Sequence, residues 1–286
     1  MKTVKRVLIT GASGFIGSRL SEIFGQYSDF EVYRGVRKVD SGEAGRQIPV
    51  DLADLQSLLG LCEDHNFDVI VHLAAKVGWG GLPYEDLYIE NVLATGALGY
   101  VAKKMDASLL FCSAAVVHGQ KESFVSLDTP ICLDSDYSRS KFDGEELLRS
   151  ILPSACILRV GGVFGKNGPA HLGLNRSISE ALQGNIPVVY GEGGCLRNYI
   201  YVDDLCLKII GAIKSGAEGI HLIAGDETLS IKNMLQIICK EILGCATPLF
   251  KAGLRPGVDQ LIDGTPKFGK GHRFIEAVKL ISGSSI

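Results

Sequence analysis

A glycine-rich turn near the start of the chain limits what this sequence can fold into. The apolar run Val7-Leu8-Ile9 leads into the turn, which a helix-length segment follows. Glycine permits a tight turn and lets the backbone approach a pyrophosphate closely. Unpaired backbone N–H groups and the helix dipole favour the negative charge of that pyrophosphate. The glycine spacing is G-x-x-G-x-x-G instead of G-x-G-x-x-G, and such turns also occur without a ligand. The stretch predicts a dinucleotide site with the cofactor-binding residues Gly11, Ser13, Gly14, Phe15, Ile16 and Gly17.

Length, composition and charge favour a soluble globular protein. With 286 residues and 46% hydrophobic content, the chain can bury a full core. The formal net charge is −3 and the basic residues are scattered, so we expect neither a nucleic acid nor a membrane as partner. No segment approaches the ~18 uninterrupted apolar residues of a membrane span, and the N-terminus has no signal-peptide pattern.

The cysteines and histidines predict a reduced compartment and no metal site. The eight cysteines form no C-x-x-C pair, and most lie in apolar surroundings, as small core residues do. The six histidines form no H-x-x-x-H pair and no cluster with cysteine. We therefore expect a cytoplasmic protein without a metal.

Apolar strand-like runs alternate with helix-length segments through the first half of the chain. The strand-like runs are 4–10, 31–36, 69–73, 108–112 and 156–160, and the helical segments between them are 54–65, 88–105 and 137–151. Alternation of this kind, with continuous apolar strands, predicts a parallel sheet covered by helices on both faces. The predicted class is α/β, a Rossmann-type doubly wound parallel sheet.

The residue about 20 positions beyond the glycine turn bears on the choice of dinucleotide. An NAD site normally places Asp or Glu there, to hold the ribose 2′-hydroxyl. Here the residue is Arg37, with Arg34 and Lys38 beside it, and guanidinium groups suit a 2′-phosphate. The sequence thus favours NADP over NAD, although Asp40 could still reach a ribose and leaves NAD possible.

Several further motifs follow in a fixed order. They are Val50-Asp51-Leu52, Val71-His72-Leu73-Ala74-Ala75, Asn91-Val92, Cys112 to Gly119, Tyr137-Ser138-Arg139-Ser140-Lys141, Leu158-Arg159-Val160, Val189 to Gly193, Arg197 to Asp204 and Arg255-Pro256-Gly257. Together they make the chain resemble, almost end to end, the extended short-chain dehydrogenase/reductase family and its nucleotide-sugar branch of epimerases, dehydratases and reductases. The resemblance implies that Asp51 accepts a hydrogen bond from adenine while Leu52 packs on the ring. It also implies that Leu73, Ala74 and Ala75 form a strand end against which the cofactor lies.

The resemblance makes Tyr137 and Lys141 the catalytic pair. Four residues apart, they share one face of a helix, and a nearby cation lowers the pKa of a phenol, ordinarily about 10. In the family, such a tyrosine exchanges a proton with a sugar hydroxyl or ketone while hydride moves to or from the nicotinamide. The lysine also bonds the nicotinamide ribose.

The third member of the family's catalytic set departs from the pattern. The family has Ser or Thr five residues before the closing glycine, and this chain has Ala114. Loss of one donor to a developing oxyanion costs about 10²-fold in rate. Ser113 points to the other face of an unbroken strand, so it replaces the donor only if the strand bulges. We keep Ser113 as a catalytic candidate on that condition.

The second half of the chain supplies the substrate side. We expect a Rossmann domain over 1–166 with returning segments at about 200–225, and a smaller, interleaved C-terminal substrate-binding lobe over 167–199 and 226–286. The resemblance implies that Arg197 and Arg255 clamp a nucleoside diphosphate, with Asn175 as a further phosphate ligand. Lys76 joins the substrate-binding candidates because residues 75–80 are similar to the GDP-fucose synthase branch.

Three functions remain open. A 4-keto reductase of a nucleoside-diphosphate sugar is favoured, because Arg37 favours NADP. The alternatives are an NAD-dependent 4-epimerase, which returns the same hydride, and a non-catalytic NADP-binding sensor or partner module, which Ala114 favours. The resemblance also implies a homodimer through the helices at 88–105 and 137–151.

Overall fold

The computed structural model describes residues 4–40, 45–77, 82–244, 247–252 and 257–283. Over these residues the strands are β1 (Lys5–Thr10), β2 (Phe30–Val36), β3 (Arg46–Pro49), β4 (Val69–His72), β5 (Ser108–Ala114), β6 (Phe124–Val125), β7 (Cys156–Val160), β8 (Val163–Phe164), β9 (Val188–Tyr190), β10 (Leu196–Arg197), β11 (Ile200–Tyr201), β12 (Gly219–Ile223), β13 (Leu229–Ser230), β14 (Leu249–Lys251) and β15 (Leu261–Ile262). The α-helices are α1 (Phe15–Phe24), α2 (Leu55–Asp64), α3 (Tyr84–Tyr88), α4 (Ala94–Met105), α5 (Asp136–Ile151), α6 (Gly173–Leu182), α7 (Val202–Ser215), α8 (Ile231–Leu243) and α9 (Phe274–Ser282). A π-helical turn, Ile89–Leu93, joins α3 to α4, and short 3-10 turns span Ala115–His118 and Pro266–Phe268.

A seven-stranded sheet in the order β12-β7-β5-β4-β1-β2-β3 carries the fold. The pairs from β3 to β5 are parallel, with Thr10 opposite Gly35 on one side and opposite His72 on the other. All four residues of β4 are buried, as expected for a strand with helices over both faces. The sheet confirms the α/β class and the Rossmann-type prediction.

The strand order reverses between β1 and β4, and this decides where a ligand can bind. Parallel strands end at the same edge of a sheet, and helices leaving neighbouring strands for opposite faces open a crevice at that edge. The ends of β1, β2 and β4 meet there, so the glycine turn and residues 73–75 lie beside each other.

The core beneath this edge is formed by apolar residues of the central strands and of the helices that cover them. Leu8, Ile70 and Ile157 are fully buried in the sheet, and Leu98 of α4 and Leu148 of α5 pack against the same cluster. Burial of such side chains contributes roughly 1.5–3 kcal/mol each. The sheet is therefore a rigid support for the loops at its edge.

The chain forms two compact units, whose boundaries differ from those expected. The first contains Met1–Gly119, Ile131–Arg159 and Cys206–His221, and the second contains Gln120–Pro130, Val160–Leu205 and Leu222–Ile286. The segment around β6 belongs to the second unit because β6 pairs with β15. The chain enters the second unit again at Val160, and within this part of the unit β8 pairs with β11.

A buried histidine joins the ends of β1 and β4 to α4. The hydroxyl of Thr95 donates to the carbonyl of Asn91 (2.7 Å), so its oxygen accepts from Nε2–H of His72 (3.0 Å). Nδ1 of His72 then accepts from the hydroxyl of Thr10 (2.8 Å). Burial and the charge of Lys141 lower the pKa of His72 to about 3, which keeps the ring neutral.

The stability contributed by His72 is therefore expected to depend on pH. The pKa of the histidine falls from 6.5 in the unfolded chain to about 3 in the fold, so in acid only the unfolded chain takes the proton. The difference in unfolding free energy between the wild type and His72→Gln should shrink by about 3 kcal/mol between pH 7 and pH 4. Urea unfolding of both proteins at pH 7 and at pH 4 measures this difference. The same difference at the two pH values would contradict a lowered pKa of His72.

Candidate active site

The glycine turn forms a cradle in which two positions, Gly11 and Gly17, leave no room for a side chain. Gly11 has φ +70°, and a Cβ there would lie 2.7 Å from the backbone nitrogen of Ala74. A Cβ on Gly17, in the first turn of α1, would overlap the carbonyl oxygen of Gly11. The turn, the start of α1 and the segment after β4 thus approach each other more closely than side chains allow.

A groove of about 900 Å³ runs along this cradle. Its lining combines residues of the glycine turn, the end of β2 and the segment after β4: Thr10, Gly11, Ser13, Gly14, Gly35, Val36, Arg37, Lys38, Val39, Asp40, Gln47, Val50, Leu52, Leu73, Ala74, Ala75 and Glu90. Phe15, Ile16 and Gly17 begin α1 directly behind the turn. The size of the groove and its backbone cradle fit a dinucleotide. Of the predicted cofactor residues, the groove lining brings together Gly11, Ser13, Gly14, Arg37, Leu52, Leu73, Ala74 and Ala75, and their contact with a cofactor stays a prediction.

Arg37 lies where the sequence places it, but its guanidinium is already paired. Nη2 of Arg37 is 3.1 Å from Oε2 of Glu90, and Oε1 of Glu90 is 3.3 Å from Nζ of Lys76. The three basic residues of 34–38 had favoured NADP, whereas the groove also contains this carboxylate. Sequence reasoning misses this pair, because Arg37 and Glu90 are 53 residues apart.

Asp51 has the local role of a turn residue. One of its carboxylate oxygens accepts from the backbone N–H of Ala53 (3.0 Å), and the residue is exposed. Its neighbours Val50 and Leu52 line the groove. A bond from Asp51 to adenine stays a prediction.

Asn91 connects the groove to the helix that carries the catalytic candidates. Its amide oxygen accepts from the N–H of Lys76 (2.7 Å), and its amide nitrogen donates to the carbonyl of Lys76 (2.9 Å) and the hydroxyl of Ser140 (3.0 Å). The residue is buried in the π-helical turn, a feature often found at functional sites. The motif Asn91-Val92 had drawn attention to it without assigning it a role.

Helix α5 holds Tyr137 in its first turn and Lys141 one turn later. Ser135 caps the helix, and its hydroxyl accepts from the N–H of Ser138 (3.1 Å). Lys141 is buried, its Nζ donates to the carbonyl of Cys112 (2.8 Å), and Nζ lies 4.1 Å from the centre of the Phe111 ring. Burial lowers the pKa of this ammonium group to about 8.

The pKa of Tyr137 differs from the sequence-based expectation. Burial, together with the Cys112 thiol, raises it to about 12. A lowering by Lys141 was expected, but the lysine ammonium donates to the Cys112 carbonyl and desolvation of the phenol dominates. Tyr137 is therefore a proton donor near neutral pH in this structure.

Ser113 does not replace the missing donor at Ala114. Strand β5 runs without a bulge to Ala114, so the side chain of Ser113 lies on the face opposite to Cys112 and Ala114. Its hydroxyl donates to Glu145. The condition for a catalytic role of Ser113 is thus not met, and the hydroxyl belongs to a buried network.

This network fixes α5 to β5 and β7. Arg159 donates to Oε2 of Glu145 from Nε (3.1 Å) and Nη2 (2.7 Å), and both side chains are buried. Nη1 of Arg159 donates to Nε2 of His118 (3.0 Å), which places the ring proton of His118 on Nδ1. Glu145 lies one turn after Lys141 and two turns after Tyr137, so it anchors the face that carries both.

The substrate-side candidates in the second unit are engaged with the backbone. Asn175 is buried, its amide oxygen accepts from the N–H of Gly165 (3.1 Å), and its nitrogen donates to the carbonyl of Val163 (3.1 Å). These bonds give Asn175 a supporting role in the fold, and its predicted phosphate contact finds no support. Nη1 of Arg197 donates to the carbonyls of Leu196 and Val258, both at 2.7 Å. Arg255 lies outside the described residues.

The described residues contain neither a cluster of metal-binding side chains nor a helix suited to a membrane. Across the part of the chain that the structure covers, no three His, Cys, Asp or Glu residues are grouped so that they could hold a metal ion. None of the helices described is both long and apolar enough to cross a membrane.

Gly17 provides a test of the cradle. Gly17→Ala should abolish dinucleotide binding and destabilise the fold, because the added methyl group overlaps the Gly11 carbonyl. Gly60→Ala is the matched control, since Gly60 also lies in a ten-residue helix and a Cβ there meets nothing within 4 Å. The control should gain roughly 0.5–1 kcal/mol of stability and bind normally. Calorimetric titration and thermal unfolding measure both effects, and normal binding by Gly17→Ala would refute the cradle.

Two adjacent glutamates test the buried network. Glu145→Gln leaves Arg159 as a buried charge without its carboxylate and should cost about 3 kcal/mol of unfolding free energy. Glu146 is 51% exposed and pairs with Arg149 on the surface, so Glu146→Gln should cost less than about 1 kcal/mol. Equal losses in urea unfolding would show that the buried pair has no special role.

Comparisons with known proteins agree with this geometry. The sequence profile of the NAD dependent epimerase/dehydratase family matches residues 7–225. The UDP-glucose 4-epimerase 2 of Arabidopsis thaliana is 28% identical over 305 residues, covering 90% of this chain and 86% of that protein. The UDP-glucuronate 4-epimerase of Thermodesulfobacterium geofontis is 24% identical over 259 residues, covering 81% and 79%.

A solved structure shows the same fold. The UDP-glucuronic acid 4-epimerase of Bacillus cereus, in complex with NAD, superposes with a TM-score of 0.80 at 23% identity, covering 97% of each chain. The glycine cradle, the groove and the Tyr137/Lys141 helix stand in the order that the extended short-chain dehydrogenase/reductase resemblance implies. The chain belongs to the NAD dependent epimerase/dehydratase family.

Proposed function

We propose that this protein is an NAD-dependent 4-epimerase of a nucleoside-diphosphate sugar, with a UDP-sugar as substrate. One observation carries the proposal: the half-buried Tyr137 and the buried Lys141 share one face of α5, a helix that Asn91 links through Ser140 to the groove-side segment after β4. The 4-epimerase names of the two curated relatives support this reaction over the 4-keto reductase that Arg37 had favoured.

The residues of the chain divide the work of a reversible oxidation at C4. Bound in the groove, a nicotinamide supplies the hydride acceptor and donor. In the oxidation half, the deprotonated form of Tyr137 takes the proton of the C4 hydroxyl, and the protonated form, which dominates near neutral pH, returns it to the carbonyl oxygen on reduction. Lys141 carries its charge below about pH 8 and so favours the transient phenolate of Tyr137.

Lys76 of the first unit supplies positive charge in this proposal. In the second unit, Arg197 stays a candidate ligand of a diphosphate, with its Nη1 atom held by two carbonyls. Lys76 is held by Glu90 after β4. We further propose a homodimer through the helical segments 88–105 and 137–151; Tyr88, Ile89 and Tyr100 of the first segment are exposed.

A second function is favoured by Ala114. With no hydroxyl at this position and Ser113 bonded to Glu145, the site lacks the donor that stabilises the reacting oxygen in relatives of this type. A non-catalytic dinucleotide-binding protein would tolerate that loss. The buried Lys141 and the network behind it favour the enzyme.

Substitutions at 114 and 137 decide between these functions. With UDP-glucose, UDP-galactose and UDP-glucuronate, NMR should show interconversion at C4 by the wild type. Ala114→Ser should raise kcat by roughly tenfold to 10²-fold, because it restores one donor. Tyr137→Phe should abolish turnover while NAD binding measured by calorimetry is kept.

Two outcomes would contradict the epimerase. Net consumption of NADPH with no interconversion would favour the reductase. Binding of NAD without turnover, in the wild type and in Ala114→Ser alike, would favour the non-catalytic protein.

A further inference from the structure

Glu90 holds two cations at the rim of the dinucleotide groove. One carboxylate oxygen faces Nη2 of Arg37 (3.1 Å) and the other faces Nζ of Lys76 (3.3 Å). The Glu90 side chain is 16% exposed, whereas that of Arg37 is 77% exposed. The carboxylate is thus the fixed partner, and the arginine extends over it from the solvent side.

The position of this pair coincides with the end of β2. Arg37 directly follows the last residue of β2, and the adenosine ribose of a dinucleotide lies at this strand end in doubly wound folds. Glu90 comes from the π-helical turn, a different element. The side chain of Asn91 clamps that turn to the backbone of Lys76 and so sets the position of Glu90.

The chemistry of the pair discriminates between the two forms of the ribose. A 2′-phosphate needs a guanidinium free to form two bonds, and it would bring its negative charge close to the carboxylate of Glu90. A 2′-hydroxyl can accept from the guanidinium and donate to the carboxylate. The groove therefore contains, on another element, the acid that the sequence lacks at the end of β2.

We propose that Glu90 selects NAD over NADP, by occupying Arg37 and placing a carboxylate beside the adenosine ribose. The inference rests on the proposed function in that the groove binds a dinucleotide. It reverses the preference that Arg37 alone implies. Among the described residues that line the groove, Asp40 is the other carboxylate, and its backbone is tied to the side chain of Gln47.

Calorimetric titration of the full chain with NAD⁺ and with NADP⁺ tests the proposal. The wild type should bind NAD⁺ at least tenfold more tightly than NADP⁺. Glu90→Gln keeps the shape of the side chain and frees the guanidinium, so the ratio of the two Kd values should shift at least tenfold toward NADP⁺. Adding Arg37→Gln to this variant should cancel the shift, because the gain requires the freed arginine.

Two controls isolate the effect of Glu90. Glu146→Gln removes the carboxylate of an exposed arginine pair on α5 and should leave the ratio unchanged. Asp40→Asn should also leave it unchanged, and a tenfold shift there instead would assign the selection to Asp40 and overturn the proposal.

Other outcomes also bear on the inference. A wild type that prefers NADP⁺, or a Glu90→Gln variant that keeps the wild-type ratio, overturns it. If Glu90→Gln does not fold, Arg37→Gln decides: a loss of NADP⁺ affinity of tenfold or more shows that Arg37 clamps the phosphate and overturns the proposal. A smaller loss supports it. Failure to bind either dinucleotide refutes the groove, whereas NAD selectivity without sugar turnover refutes only the epimerase.

Discussion

A chain of buried hydrogen bonds links the strand before the glycine turn to helix α5. It runs from Thr10 through His72 and Thr95 to Asn91, whose side chain then bonds Lys76 and Ser140. Thr10, His72, Thr95 and Asn91 are buried, so a shift of any of them leaves a polar group unpaired in the core. The position of α5 relative to the glycine turn is thereby fixed by polar contacts as well as by packing.

Two carboxylates of the same unit illustrate how burial changes what a charge does. Glu145 is fully buried with Arg159, and removal of either partner would leave an uncompensated charge in the core. Glu90 lies at the groove with Arg37 largely in solvent, so its pairing contributes little to stability. The Glu145–Arg159 pair positions Tyr137 and Lys141. The Glu90–Arg37 pair bears on which dinucleotide the groove binds.

Much of the fold and part of the site could be predicted from sequence, for identifiable physical reasons. The continuous apolar runs gave β1, β2, β4, β5 and β7 to within a few residues, because buried parallel strands are apolar on both faces. Strand β3 was missed, since Arg46-Gln47-Ile48-Pro49 is polar and ends in proline, as an edge strand can be. The glycine turn and the Tyr137/Lys141 spacing are local patterns. The turn lies between β1 and α1, and Tyr137 and Lys141 lie one turn apart on α5, as the sequence predicts.

Contacts between distant segments were the part that sequence could not supply. The pairing of Arg37 with Glu90 depends on the π-helical turn, and the pKa of Tyr137 depends on burial beside Cys112. The fate of Ser113 depended on whether β5 bulges, which the residue alternation left open. The bonds of Asn175 to Val163 and Gly165 depend on a turn that the sequence pattern does not show. The phosphate role that the resemblance implies for Asn175 stays a prediction.

We propose that Tyr137 and NAD held in the groove oxidise and re-reduce the same carbon of a nucleotide sugar. The most direct measurement follows a deuterium label at C4 of UDP-glucose by NMR and mass spectrometry during incubation with the protein and NAD⁺. The account predicts inversion at C4 with the deuterium retained on that carbon, because the hydride returns before the cofactor is released. Inversion with loss of the label to solvent would contradict it.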